Sequence, residues 1–195
     1  MKHLKYTLVF VSILLASCFG DKNTIVGEEL GTELAENKSF SGNKYSFNDL
    51  PDNLGDLISM EEVKRQYKGA NVTEAKVDQV RRFGGKYCDF NILFDPSMAS
   101  SYSKGFLSVV EDFQGDSNWQ EQWQFKLTSL KSAESISNLG KAAIWIGKKR
   151  KLEVKMDGYT ILLEVPAING INDPDAKQHD YKSTAINIIK NSKFF

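Results

Sequence analysis

The dipeptide Asp157-Gly158 constrains the fold of this chain more than any other feature. Leu152, Val154 and Met156 recur at every second position before it, and Tyr159, Ile161, Leu163 and Val165 do so after it. A period of two puts each set on one face of a strand, and Asp-Gly suits a two-residue hairpin turn because both positions tolerate positive φ. A lone hairpin is barely stable in water, so more strands or a helix must cover its apolar face. Residues 142–146 supply an earlier strand that turns through Gly147 and residues 148–150. The last third therefore reads as a three-strand meander.

Upstream, Ser59-Met60-Glu61-Glu62 has the spacing of a capping box, and Met60, Val63 and Tyr67 fall on one face of a helix ending near Gly69. A weak alternation suggests a strand across residues 72–82, followed by a turn at Gly84-Gly85. Residues 87–95 and 105–114 alternate with period two and read as the next strands. After Gly115 the period changes: Trp119, Trp123, Leu127 and Leu130 make one stripe on a helix over residues 118–131. Asp173-Pro174 offers a cap and first-turn proline for a final helix in which Ala185, Ile188 and Ile189 face one way. This order describes an α+β domain, an antiparallel sheet with helices packed on it, because parallel crossovers would need strands and helices to alternate singly.

The N-terminus carries the clearest address. Lys2 and Lys5 precede a run of ten apolar or weakly polar residues, 6–15, too short for a bilayer that needs about 20 residues of helix. Leu15-Ala16-Ser17-Cys18 resembles the bacterial lipobox, in which the cysteine thiol is joined to diacylglycerol before cleavage on its N-terminal side. Residues 1–17 are then a lipoprotein signal peptide and Cys18 is the lipidation site. The alternative is an ordinary secretory signal with an incidental cysteine. Several acyl chains anchor firmly where one would not, at about 0.8 kcal/mol per buried CH₂. Sorting rules in bacteria with two membranes would send a chain with Phe19 after the cysteine to the outer membrane.

Residues 18–54 are polar and follow neither period, so they read as the lipidated cysteine and a flexible tether, with a short helix at 27–35 as a variant. Thirty-odd residues of coil reach about 33 Å. The globular domain is expected over residues 55–195, a length that buries about two thirds of its unfolded surface. The 195 residues hold 25 basic and 25 acidic side chains, and losing Lys2 and Lys5 leaves 23 against 25, a mature charge of −2. That balance gives no general handle on nucleic acid.

The inventory of chemistry is short. Beyond the leader there is one histidine, His179, so no metal site with two histidines and no serine relay can be drawn. Asp173, Asp175, His179 and Asp180 could gather around a metal, but acids at a helix start are equally explained by its dipole. Cys88 alternates with Phe90, Ile92 and Phe94 and reads as a small core residue. Trp119 and Trp123, with Phe125 near, could form an aromatic platform, although a stripe at helical spacing is more often core. Lys148-Lys149-Arg150-Lys151 could meet anionic headgroups or an acidic partner, or stay a solvated turn.

Residues 137–145 (SNLGKAAIW), Leu152-Glu153-Val154, 159–165 (YTILLEV) and 184–189 (TAINII) resemble the C-terminal half of small lipoproteins with a PsbP-like sandwich fold. The helix near Leu57 to Tyr67 and the Cys88-Asp89-Phe90 strand are similar in order, so the likeness spans about residues 55–192. An early cysteine found in bacterial members has no counterpart in Gly55-Asp56-Leu57-Ile58. The resemblance implies an adaptor or binding role at an envelope, without catalytic residues, cofactor or metal.

The sequence thus leads to a non-enzymatic protein held on the membrane by its N-terminal lipid and binding an envelope protein. The alternative is a small-ligand carrier with Trp119, Trp123 or Trp145 in the wall of a groove beside the sheet. An enzyme with aspartate-held metal is a third class.

Overall fold

A computed structural model of the chain describes residues 33–67, 72–79, 86–94, 102–112, 116–168 and 179–195. Strands β1 (Val72–Gln79), β2 (Lys86–Phe94) and β3 (Ser103–Glu111) form one antiparallel meander, and β4 (Ala133–Ile136), β5 (Ala142–Ile146), β6 (Lys151–Lys155) and β7 (Tyr159–Glu164) form a second. The two meet where β3 pairs β7, with Leu107 opposite Leu163 and Val109 opposite Ile161. Strand order is β1-β2-β3-β7-β6-β5-β4, a seven-stranded antiparallel sheet. Helix α2 (Trp119–Ser129) carries the chain from β3 at the middle to β4 at the edge. The class is α+β, as the alternation implies.

Period two sorts the side chains onto two faces. On one, Cys88, Phe90, Ile92, Leu107, Val109, Leu152, Val154, Ile161 and Leu163 are all at most 1% exposed. They pack in one core with Val63 of helix α1 (Met60–Gln66) and Ala185, Ile188 and Ile189 of helix α3 (Tyr181–Lys190). Each aliphatic side chain so buried contributes roughly 1.5–3 kcal/mol. On the other face Ala142, Ile144 and Ile146 of β5 meet Trp119, Trp123 and Leu127 of α2. Gly105 is required by close packing, since a Cβ there would lie 2.3 Å from the Glu164 carbonyl oxygen.

Helix ends follow their capping residues. Ser59 Oγ accepts from Glu62 N at 3.3 Å, the first half of the expected capping box. The second half is replaced: the Glu62 carboxylate takes Arg65, Gln66 and, across to α3, Asn191. Helix α3 is capped by Asp180, whose Oδ1 accepts from Ser183 N at 2.9 Å. That helix therefore starts at Tyr181 rather than at the expected Asp173-Pro174 cap, which, like the Gly84-Gly85 turn, lies outside the described residues.

One further expectation is corrected, and one strand has no counterpart in the sequence pattern. Strand β4 lacks an apolar alternation because Glu134 and Ser135 interrupt it, yet it pairs with β5 in full register. The tether was expected to extend through Leu54. Residues 33–54 instead lie along the domain: Leu50 and Leu54 are 3% and 0% exposed, and Phe40, Tyr45 and Phe47 pack on the core. Asn37 N donates to Lys141 O at 2.8 Å, and Asn43 exchanges hydrogen bonds of 2.7 and 2.9 Å with the Asp157 backbone. This strap lacks a period because it is irregular chain, each apolar side chain filling a separate gap. Residues 18–32 and Cys18 lie outside the described residues.

Candidate functional site

The tryptophans expected as contacts do not form one site. Trp119 and Trp123 stand under α2 on one face of the sheet, while Trp145 faces the opposite core. They are 8%, 5% and 5% exposed, so none offers a ring face to a ligand. Trp119 and Trp123 meet edge to face at 6.4 Å, an arrangement that fixes helix position. Phe125, on the outer side of the same helix, is 73% exposed.

Beneath α2 lies a row of charge that sequence reading missed. Glu153 and Lys155 occupy alternate positions of β6 and are 2% and 1% exposed. Glu153 is held by Lys126 from α2 at 2.5 Å and by Lys151 at 2.6 Å. Burial alone would raise the Glu153 pKa, but the Lys126 hydrogen bond and charge, and then those of Lys151, outweigh it and hold the carboxyl below its usual range. Lys155 pairs with Asp112 at 2.5 Å and donates to Met156 O at 3.1 Å. Its Nζ and that of Lys141 lie 5.8 and 5.3 Å from the Trp119 ring centroid, within cation–π range. The signal was available in the alternation Leu152-Glu153-Val154-Lys155, which places two charges on whichever face α2 covers. The cluster is mutually satisfied, so its chemistry is structural.

Other reactive groups are accounted for by packing. Cys88 is fully buried, and burial pushes its thiol up to about 12, which leaves no thiolate at neutral pH. His179 stacks on Tyr67 at 4.9 Å, lies edge-on to Tyr181, and shares a 2.9 Å hydrogen bond with Thr184 Oγ1. Burial lowers its pKa, partly offset by Asp180. Asp180 is the cap of α3, while Asp173 and Asp175 lie outside the described residues. Among the described residues no three His, Cys, Asp or Glu side chains are grouped to hold a metal.

The structure opens a groove of about 800 Å³ between the strap, the turn Asn138 to Gly140 and the end of α3. Asn37 Nδ2 donates to Gly140 O at 2.9 Å and so ties its two walls together. Gly140 has φ +59, and a Cβ there would meet Lys155 O at 2.5 Å. Phe40, Phe194 and Phe195 supply apolar surface, Ser39, Ser41 and Asn138 supply polar groups, and Lys44 and Lys190 supply charge. Among the described residues its side chains bring aromatic, hydroxyl, amide and ammonium groups, a mixture suited to holding a ligand or a polypeptide segment. The sequence carries no signal for it, because the wall from Asn37 to Lys44 follows neither the strand nor the helix period. No protein-family model, no curated protein and no solved structure matches this chain.

Proposed function

We propose that this is a non-enzymatic, lipid-anchored protein of the bacterial cell envelope, PsbP-like in kind, that holds an envelope protein in the groove between its strap and α3. The observation that carries the reading is the sequence Leu15-Ala16-Ser17-Cys18 after a short basic and apolar leader. The groove adds support: among the described residues it mixes aromatic, hydroxyl and amide groups. Phe19 after the cysteine favours the outer membrane as the address. The test has two parts. Intact mass of the native product should show residues 1–17 removed and acyl chains on Cys18, and Cys18→Ser should abolish membrane association. A photocrosslinking side chain at Ser41 should capture one stoichiometric protein in cells, while the same group at exposed Lys104, at the far end of β3, should not. A free Cys18 thiol, or equal labelling at both positions, sinks the reading.

The carrier reading keeps one supporting observation, that the groove volume lies in the range small molecules occupy. Its wall would be Phe40 and Phe195 rather than tryptophan. A small polar ligand that raised the melting temperature of the pure protein, and lost that effect in Phe195→Ala, would favour it.

A further inference from the structure

We propose that the outer face of α2 is the contact of a twofold homodimer, in which two α2 helices lie antiparallel across Phe125. The inference does not rest on the lipid anchor or on the groove beside α3. Phe125 is the most exposed large hydrophobic side chain among the described residues. It borders a second groove, of about 480 Å³, between α2 and the first residues of the strap. The groove is fixed from both sides, because Leu34 N donates to Gln124 Oε1 at 2.9 Å and Ala35 N to Ser135 Oγ at 2.8 Å.

Charge differs between this groove and the end of α2. The groove lining carries Glu33, Glu36 and Glu121, all exposed, and no basic residue. None of the three forms an ion pair among the described residues. Just past the end of α2 stand Lys131 and the turn bearing Lys148 and Lys149, likewise exposed and without ion pairs. That turn abuts Ser132: Gly147 N donates to Ser132 O at 2.9 Å and Lys148 N to Ser132 Oγ at 3.3 Å. Glu121 stands one turn before Phe125, about 6 Å along the axis at 1.5 Å per residue, and Lys131 follows the helix end at Ser129 beyond it.

A surface that runs from acidic through aromatic to basic is self-complementary under a twofold axis at its centre. An antiparallel copy sets the carboxylates of each protomer against the lysines of the other, twice, and brings the two Phe125 rings together at the axis. A parallel copy would oppose like charges. The second copy is therefore the occupant the charges select, ahead of an anionic lipid surface, which the carboxylates would repel.

Sedimentation of the intact chain in neutral detergent should show a dimer that weakens with added salt. Two reversed chains separate this contact from others. Glu33→Lys with Glu36→Lys and Glu121→Lys, or Lys131→Glu with Lys148→Glu and Lys149→Glu, should each weaken self-association about tenfold or more. Mixing the two should restore a dimer, since each then carries what the other lacks. Phe125→Ser, at an exposed position where folding is indifferent, should weaken it similarly with an unchanged melting temperature. Phe125→Cys treated with a short bismaleimide should give a covalent dimer that the parent chain does not. A monomer at all concentrations, a reversed chain that still dimerises, or no mixed dimer overturns the proposal. So does retention on phosphatidylglycerol vesicles, but not phosphatidylcholine ones, that depends on the three lysines while no dimer forms in solution.

Discussion

Lys126 reaches from α2 to within 2.5 Å of Glu153 Oε2, and that carboxylate, with its side chain 3% exposed, is the point on which the helix is seated. The interaction is asymmetric. The Glu153 side chain is enclosed, whereas that of Lys126 is 38% exposed and that of Lys151 17%. Removing the carboxylate leaves two lysines that can turn toward water, and removing the lysines would strand a buried charge. Glu153→Ala should cost about 2–3 kcal/mol in urea unfolding, below the usual figure for a broken buried pair for that reason. Lys155→Met should stay within about 1 kcal/mol, because its partner Asp112 remains partly solvated.

The same carboxylate sets an acid limit. Its folded pKa lies below the unfolded value of 4.5, so its contribution is complete above that value and disappears as pH falls through the folded pKa. Unfolding free energy should therefore drop below about pH 4.5. The drop should be smaller in Glu153→Gln, and equal slopes in the two proteins would contradict the assignment.

The strap predicts where the domain begins. A chain starting at residue 33 should keep its cooperative unfolding, while one starting at residue 55 loses Leu50 and Leu54 from the core and should be severely destabilised. The single substitution Leu54→Ala should cost about 2–5 kcal/mol, as for other fully buried leucines. Urea midpoints decide between this and a tether ending at Leu54, which predicts no difference between the two chains.

How much of this was legible in the sequence depends on where period carries information. β6 and β7 were readable because Leu152, Val154, Ile161 and Leu163 alternate on either side of Asp157-Gly158, although only Gly158 takes the positive φ. The Trp119–Trp123–Leu127 stripe gave α2 for the same reason at the helical period. The strap was not readable, since Phe40, Tyr45, Phe47, Leu50 and Leu54 meet the core one by one through irregular backbone. β4 was not readable because an edge strand of four residues needs only Ile136 buried. The candidate groove inherits both failures, being walled by the strap and by the turn that follows β4.

Gly105 and Gly158 should respond to alanine for different reasons. At Gly105 the new Cβ would press on Glu164 O at 2.3 Å and Pro166 Cδ at 2.6 Å, atoms of backbone and ring that cannot swing away. At Gly158 there is open space, and only the φ of +76 resists. Gly105→Ala should cost about 3 kcal/mol by forcing β3 and β7 apart. Gly158→Ala should cost about 1 kcal/mol, the usual strain of a left-handed alanine. Thermal unfolding of the two variants side by side would expose any reversal of that order.

His179 offers a check on the junction between α1 and α3. Its ring lies 8° from parallel to Tyr67, whose hydroxyl donates to Pro166 O at 2.7 Å, and its Nε2 is engaged with Thr184. Burial disfavours the imidazolium, so the folded pKa lies below the ordinary 6.5 despite the neighbouring Asp180 carboxylate. A depressed folded pKa means that the contribution of the group to stability is present above pH 6.5 and is lost as pH falls through the folded value. Proton NMR should show one imidazole titrating below 6.5, assigned by its disappearance in His179→Gln. Thr184→Val, which removes the hydroxyl but keeps the shape, should move that midpoint while leaving the Tyr67 stacking in place. A midpoint at or above 6.5 in the parent protein would mean that the ring is solvated, and that the contact between Tyr67 and the start of α3 is open in solution.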